Sequence, residues 1–286
     1  MPIRQITIVG TGLIGGSLGL ALKKGGFRGK IVGCDSKAVL ARAKRARAID
    51  AGFADPVKAS VGSDVVVLAT PVGSIIELIE RLAPRISPST LLTDVGSTKG
   101  EIVSRAAKAF GKDGARRFLA GHPMAGKENY GIAFADAGLF RGAVWFVTPL
   151  PGQKLKAGVI GEYLRLVKKT GARIAELDPA EHDELCAWIS HVPQMISTAL
   201  AATLFEEYGE KAPLLESGGR ALREMTRIAA SPYSMWRDIA ITNKQQIADA
   251  LLKLEQRLAH IRENLDTRAL EEEFERGHGL KRSGDR

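Results

Sequence analysis

The sequence predicts an α/β chain in two parts, a doubly wound and largely parallel sheet over residues 1–177 and an all-helical segment over residues 178–286. Three observations carry this expectation. Short apolar runs alternate with helix-length segments through the first part, the pattern of successive β-α units. The first apolar run passes without a spacer into a glycine-rich turn. From Asp178-Pro179 onward strand-like alternation stops, and apolar residues recur in steps of three and four.

The glycine-rich turn lies in QITIVGTGLIGGS, residues 5–17. Ile6, Ile8 and Val9 form a short strand, and Gly10-Thr11-Gly12-Leu13-Ile14-Gly15 leads into a helix that starts near Leu13. In a G-x-G-x-x-G turn the first glycine lets the chain leave the strand sharply, the second lets backbone approach a pyrophosphate, and the third lets helix pack on sheet. The free N–H groups and the dipole of the first helical turn suit an anion. A second strand, Ile31 to Asp35, ends in an acid twenty residues past Gly15, where a Rossmann-type domain places the carboxylate that accepts from ribose hydroxyls. Residues 10–15 and Asp35 are therefore expected to bind a dinucleotide. Asp35 favours NAD, because a carboxylate repels a 2′-phosphate. Lys37, Arg42, Lys44 and Arg45 follow, either as a solvated helix face or as partners that admit NADP.

The winding continues with a helix over 38–48, a return over 49–54, and the unbroken apolar run Val65–Leu68, typical of a parallel strand buried on both faces. That run ends in Ala69-Thr70-Pro71, and Thr70 and Pro71 are counted with the cofactor residues. A helix follows over 72–82. Leu91–Asp94 delivers Gly96-Ser97-Thr98-Lys99, and Phe118-Leu119-Ala120 delivers Gly121-His122-Pro123-Met124-Ala125-Gly126. Ala143–Thr148, a helix over 156–170 and Arg173–Leu177 complete the layer. Ligands of doubly wound sheets bind at the carboxyl edge, where these loops emerge.

In the helical part, residues 180–204 read as one helix candidate, broken or kinked at Pro193, beside His191. Ile247, Leu251, Leu254, Leu258, Ile261 and Leu265 form a packing stripe on the last long helix. So short a helical segment with stripes to bury is expected to pack on a second copy, giving a homodimer. The tail from Gly277 is expected to fray. His182 and Cys186 share a helix face, but two ligands do not make a metal site, and they read as ordinary helix positions.

The net charge of +9 points to anionic partners. Its basic residues are scattered among acids with no aromatic stacking platform, which excludes nucleic acid in favour of polyanionic small molecules. No apolar run reaches the ~18–20 residues of a membrane helix. The absence of a leader pattern and the presence of only Cys34 and Cys186 fit a reducing cytoplasm.

Five segments, GTGLIGGS, DVGSTK at 94–99, GHPMAGKE at 121–128, SHVP at 190–193 and TRIAASPYSMWRDI at 226–239, follow in the order and spacing of the prephenate/arogenate (cyclohexadienyl) dehydrogenases of tyrosine biosynthesis. The chain resembles that family over nearly its whole length. The resemblance implies a 6-phosphogluconate-dehydrogenase-like arrangement of Rossmann-type domain and helical dimerisation domain. It also implies NAD(P)-dependent oxidative decarboxylation of a cyclohexadienol, giving 4-hydroxyphenylpyruvate from prephenate or tyrosine from arogenate. By the same resemblance His122 is the base and Ser97 hydrogen-bonds the reacting hydroxyl. Arg227 holds the ring carboxylate, and His191 supports the substrate. Trp236 reaches across the dimer. Taken alone, His122 reads as a satisfied structural histidine, Ser97 as a helix N-cap, Arg227 as half of a surface ion pair and Trp236 as a core aromatic.

The chain departs from the family pattern in places. Gln194 stands where many prephenate-using members have a second histidine, which makes tolerance of arogenate an expectation. Lys127, at a position variable in the family, is counted with the substrate residues. Arg220 follows Gly218-Gly219 in place of further small residues and either reaches a substrate carboxylate or faces water. No mutase segment or regulatory domain is evident, so a monofunctional enzyme is expected, with any tyrosine feedback acting at the active site. Alternative classes are a β-hydroxyacid dehydrogenase or imine reductase, and a nucleotide-sensing protein without turnover.

Overall fold

The computed structural model describes residues 2–126, 129–209 and 217–284. Eight strands form one sheet in the order β3-β2-β1-β4-β5-β6-β7-β8. They are β1 Gln5–Val9, β2 Lys30–Cys34, β3 Ala51–Phe53, β4 Val65–Leu68, β5 Leu91–Asp94, β6 Phe118–Pro123, β7 Val144–Thr148 and β8 Arg173–Glu176. Between them run α1 Leu13–Lys24, α2 Lys37–Arg45, α3 Pro56–Ser60, α4 Val72–Leu82, α5 Gly100–Phe110, α6 Gly114–Arg117 and α7 Gly158–Lys169. The short α3, capped by Asp55 with Pro56 in its first turn, has no counterpart in the expectation.

Pairing is parallel from β3 across to β6, antiparallel between β6 and β7, and parallel again between β7 and β8. The cause is the connection: among its described residues the β6–β7 link holds a 3-10 turn, Ile132–Phe134, and no helix of the kind a parallel crossover needs. Strand order reverses between β1 and β4, so the glycine turn after β1 and the Thr70 loop after β4 flank the switch point.

Alternation along β4 divides the core between the sheet's two faces. Val65 and Val67 belong to one cluster with Ile6, Ile8, Leu18 and Tyr163, and Val66 and Leu68 to another with Ile75, Ile102 and Phe118. Both faces of β4 are buried, which is why it reads as an unbroken apolar run.

Two glycines of the first turn are fixed by geometry. Gly10 sits at φ +91°, and a Cβ on Gly15 would lie 1.9 Å from the Gly10 carbonyl oxygen. The contact is with backbone, so the turn itself must shift. Gly15→Ala is expected to cost about 1–3 kcal/mol of stability through overpacking and to weaken NAD binding, as read by thermal unfolding and by cofactor titration. Unchanged values for both would remove the third glycine from the cofactor turn.

The helical part comprises α8 Pro179–Cys186, α9 Val192–Tyr208, α10 Gly219–Thr226, α11 Tyr233–Thr242, α12 Lys244–Glu263 and α13 Arg268–Gly284. A capping box between Asp178 and Glu181, with Pro179 in the first turn, starts α8. The helix expected over 180–204, broken or kinked at Pro193, is broken just before it into two helices joined by a π-turn, Ala187–His191. Pro193 lacks an N–H and its ring crowds the carbonyl four residues back, so the chain widens by one turn before it. That turn points His191 inward, 1% exposed. The tail expected to fray from Gly277 is helical through Gly284.

The expected stripe outruns α12, which ends at Glu263 ahead of Leu265, and is buried unevenly. Ile247 is buried, Leu251 and Leu254 pack at the edge of a small core with Ala187, Val192, Ile239 and Ala250, and Leu258 and Leu265 are exposed. Among the described residues no helix is long and apolar enough to cross a membrane.

Candidate active site

The site begins where β5 and β6 leave the sheet. The two strands pair only at Leu92–Phe118 and Thr93–Leu119, and beyond that point side chains take over. Asp94, fully buried, accepts from the N–H of Gly96 at 2.8 Å and of Gly121 at 3.2 Å, and binds the equally buried Lys99 ammonium. Lys99 also donates to the Gly121 carbonyl at 2.8 Å. Burial pulls the Lys99 pKa down from its usual value, and the Asp94 charge opposes the shift. Gly121 is thereby held from both its N–H and its C=O, and His122 is the next residue.

His122 lies on β6 itself, opposite Phe146 of β7, and not in a loop beyond the strand as expected. Its Nδ1 is 2.9 Å from Nε2 of His182, and His182 Nδ1 is 2.8 Å from Oδ1 of Asp183. The Asp183 carboxylate is itself fixed at the start of α5, Oδ1 accepting from Lys99 N–H at 2.7 Å and Oδ2 from Gly100 N–H at 2.8 Å. Proton positions follow from the acceptors. Asp183 takes the His182 Nδ1–H, the His182 Nε2 lone pair takes the His122 Nδ1–H, and His122 Nε2 is left unprotonated. Burial, then the neighbouring His182 and Lys99, hold the His122 pKa well below the usual 6.5. The ring is a neutral base with its free nitrogen set by a carboxylate on the helical domain.

His191 lies behind this line. Its Nδ1 accepts from Asn243 at 3.2 Å, and the same Asn243 amide donates to the Asp183 carbonyl at 2.8 Å. Burial pushes the His191 pKa down to about 4. Its Nε2 is buried without a partner among the described residues, as are Ser197 Oγ and the Trp236 indole N–H. Trp236 packs edge-on to His191 of the same chain, with ring centroids 5.9 Å apart.

The remaining sequence-predicted residues are spread more widely. Ser97 is half-buried and lies ahead of α5, whose N-cap is Lys99, so the N-cap alternative does not hold. Gln194 is buried, and its amide donates to the Ile228 carbonyl at 2.9 Å and to Thr198 at 3.1 Å, tying α9 to the turn that carries Arg227. Arg227 itself is exposed on that turn, within the single chain. Arg220 pairs with Glu224 at 2.6 Å and faces water. Lys127 lies outside the described residues. The reading of His182 and Cys186 as ordinary helix positions is corrected: the fold brings both to His122, with the three ligand atoms within 4.8 Å of one another. Sequence reasoning also missed Asp183 and Lys99. Asp183, in the middle of the charged run Glu181-His182-Asp183-Glu184 of a helix, reads as solvent-facing, and so does a lysine after a glycine-serine loop.

The nucleotide cleft, about 380 Å³, is lined by Gly10, Cys34, Asp35, Thr70 and Arg81, among others. It fits a dinucleotide. A Cβ at Gly12 would meet nothing within 4 Å, which leaves open space over the start of α1, and the buried Thr70 hydroxyl has no partner among the described residues. Asp35 Oδ2 accepts from the Thr11 N–H at 2.8 Å and Oδ1 from the Ser36 N–H at 2.7 Å, so the acid braces the glycine turn as well as facing the cleft. Pro71 forms the N-cap of α4.

A dinucleotide cleft at a switch point, with a neutral histidine oriented from a helical domain, defines a nicotinamide-dependent dehydrogenase. Residues 18–176 match the family model of the prephenate dehydrogenase nucleotide-binding domain, and residues 178–277 that of its dimerization domain. The chain belongs to the prephenate dehydrogenase family. It is 35% identical over 250 residues to a prephenate dehydrogenase of Bacillus subtilis (strain 168), covering 85% of this chain and 65% of that protein's length. Its fold is similar to the crystal structure of prephenate dehydrogenase from A. aeolicus in complex with hydroxyphenyl propionate and NAD+, with a TM-score of 0.89, 30% identity, and 100% and 99% of the two chains covered. It is also similar to the crystal structure of Synechocystis arogenate dehydrogenase, with a TM-score of 0.74, 26% identity, and 99% and 98% covered.

Proposed function

We propose that the chain catalyses NAD-dependent oxidative decarboxylation of prephenate, arogenate or both. The observation that carries this reading is the line Asp183–His182–His122, which leaves one unprotonated ring nitrogen at the carboxyl edge of a nucleotide-binding sheet. Bound NAD supplies the hydride acceptor. His122 Nε2 takes the proton of the ring hydroxyl as the carbinol carbon is oxidised, and the imidazolium that forms is stabilised through His182 by the Asp183 carboxylate. Loss of CO₂ then aromatises the ring, which makes the step irreversible.

Ser97, whose hydroxyl has no hydrogen bond among the described residues, is the partner for the substrate hydroxyl. Arg227 binds the ring carboxylate bidentately; its gain lies in orientation, because a strong grip on that group opposes its departure. His191 and Trp236 present buried N–H groups without acceptors, suited to the substrate side. Neutral Gln194, in place of a second histidine, cannot take up positive charge at that position, and arogenate is accepted. The exposed Leu258 on α12 and Leu265 just beyond its end pack on a second copy and give a homodimer. The enzyme works in the cytoplasm, and Asp35 sets NAD ahead of NADP.

Steady-state kinetics with prephenate and arogenate, each crossed with NAD and NADP, tests this directly. NADH formation from at least one cyclohexadienol is expected, with NAD giving the higher kcat/KM. Cofactor binding without turnover of either substrate would sink the assignment.

A further inference from the structure

Cys186 takes no part in the Asp183–His182–His122 line, yet it closes a third side around it. Its Sγ is 3.4 Å from His182 Nε2 and 3.9 Å from His122 Nδ1, and the two nitrogens are 2.9 Å apart. Zinc bonds of about 2.0 Å to nitrogen and about 2.3 Å to sulfur at tetrahedral angles require roughly 3.3 Å between nitrogens and roughly 3.6 Å from nitrogen to sulfur. Each observed spacing lies within about 0.5 Å of that requirement. A second feature is independent of the spacing. His182 gives its other ring nitrogen to the Asp183 carboxylate, which is clamped by two backbone N–H groups, the arrangement that orients metal-ligating histidines.

We propose that Cys186, His182 and His122 form an inhibitory site for a thiophilic divalent cation of the zinc class. Coordination releases the thiol proton and leaves a fourth position for water. It also takes up Nδ1 of His122, so the ring proton moves to Nε2, the nitrogen that must be unprotonated to accept the substrate proton. The cation thus switches the base off by fixing the wrong tautomer. Each imidazole turns one ring nitrogen toward the thiol, Nε2 of His182 and Nδ1 of His122. The effect on turnover rests on His122 being the base; the binding does not.

The test uses the full-length protein and Zn²⁺ alone, with Co²⁺ as a spectroscopic probe. One Zn²⁺ per chain is expected to bind, NADH formation to be lost, and a chelator to restore it. Co²⁺ should give a thiolate-to-metal charge-transfer band. Cys186→Ala, and the isosteric Cys186→Ser as a guard against a folding defect, should keep metal-free turnover. Both should bind Zn²⁺ at least ~10²-fold more weakly, beyond the 10–100-fold typical of losing an outer hydrogen-bond partner. Equal Zn²⁺ affinity in wild type and both variants, or Co²⁺ binding without a thiolate band, would overturn the site. Binding with full turnover would overturn the inhibition and count against His122 as base, while absence of binding in an active enzyme would overturn the metal site alone.

Discussion

His122→Asn is expected to lower kcat by ~10²–10⁴, the usual worth of a positioned acid or base, while NAD affinity stays near that of the wild type. Asparagine keeps a donor that His182 Nε2 can accept but has no nitrogen lone pair to receive the substrate proton. The ring lies on β6, apart from the residues that line the nucleotide cleft, so cofactor titration separates a chemical loss from a folding one. The pH profile offers a second readout. The working form is unprotonated, and the folded-state pKa lies well below 6.5, so the base is already competent at pH 7. The acid limb of kcat/KM is therefore expected below pH 6.5, where an exposed histidine would place it. Retained kcat in the variant would remove the imidazole from the chemistry.

The largest effect on stability is expected at Lys99. Lys99→Met preserves most of the volume but leaves Asp94 buried without its cation, and breaking a buried pair from one side costs about 3–5 kcal/mol. Asp94 cannot relax toward solvent, because it also holds the N–H groups of Gly96 and Gly121. Lys99 in turn holds the Gly121 carbonyl, so kcat should fall along with stability as His122 loses its mooring. Denaturant unfolding at fixed protein concentration measures the first effect, the concentration being held because any self-association shifts apparent stability. A change below about 1 kcal/mol would show that the pair contributes no more than a surface ion pair.

Much of the nucleotide half was legible because its signals are local. The strand Ile6–Val9, the glycines that follow and the run Val65–Leu68 each state their structure within a few residues, since alternation, turn chemistry and two-sided burial are short-range properties. The extension of β6 through Pro123 was not legible, because a Gly-His-Pro sequence reads as loop until β7 pairs with it. The π-turn before Pro193 was half visible: proline announced a break, and only packing decided that the helix would widen there and turn His191 inward.

The sequence by itself determined a dinucleotide turn, an acid to answer it, and a histidine at the carboxyl edge of the sheet. Only the tertiary structure decided what that histidine is, because His182 and Asp183 lie about sixty residues further along the chain and no periodicity links them to it. Docking of α8 onto the end of β6 brings them together, and the tautomer of His122, its depressed pKa and its contact with Cys186 all follow from that packing. Orientation of a base is a property of neighbours in space, and a linear chain records only neighbours in order.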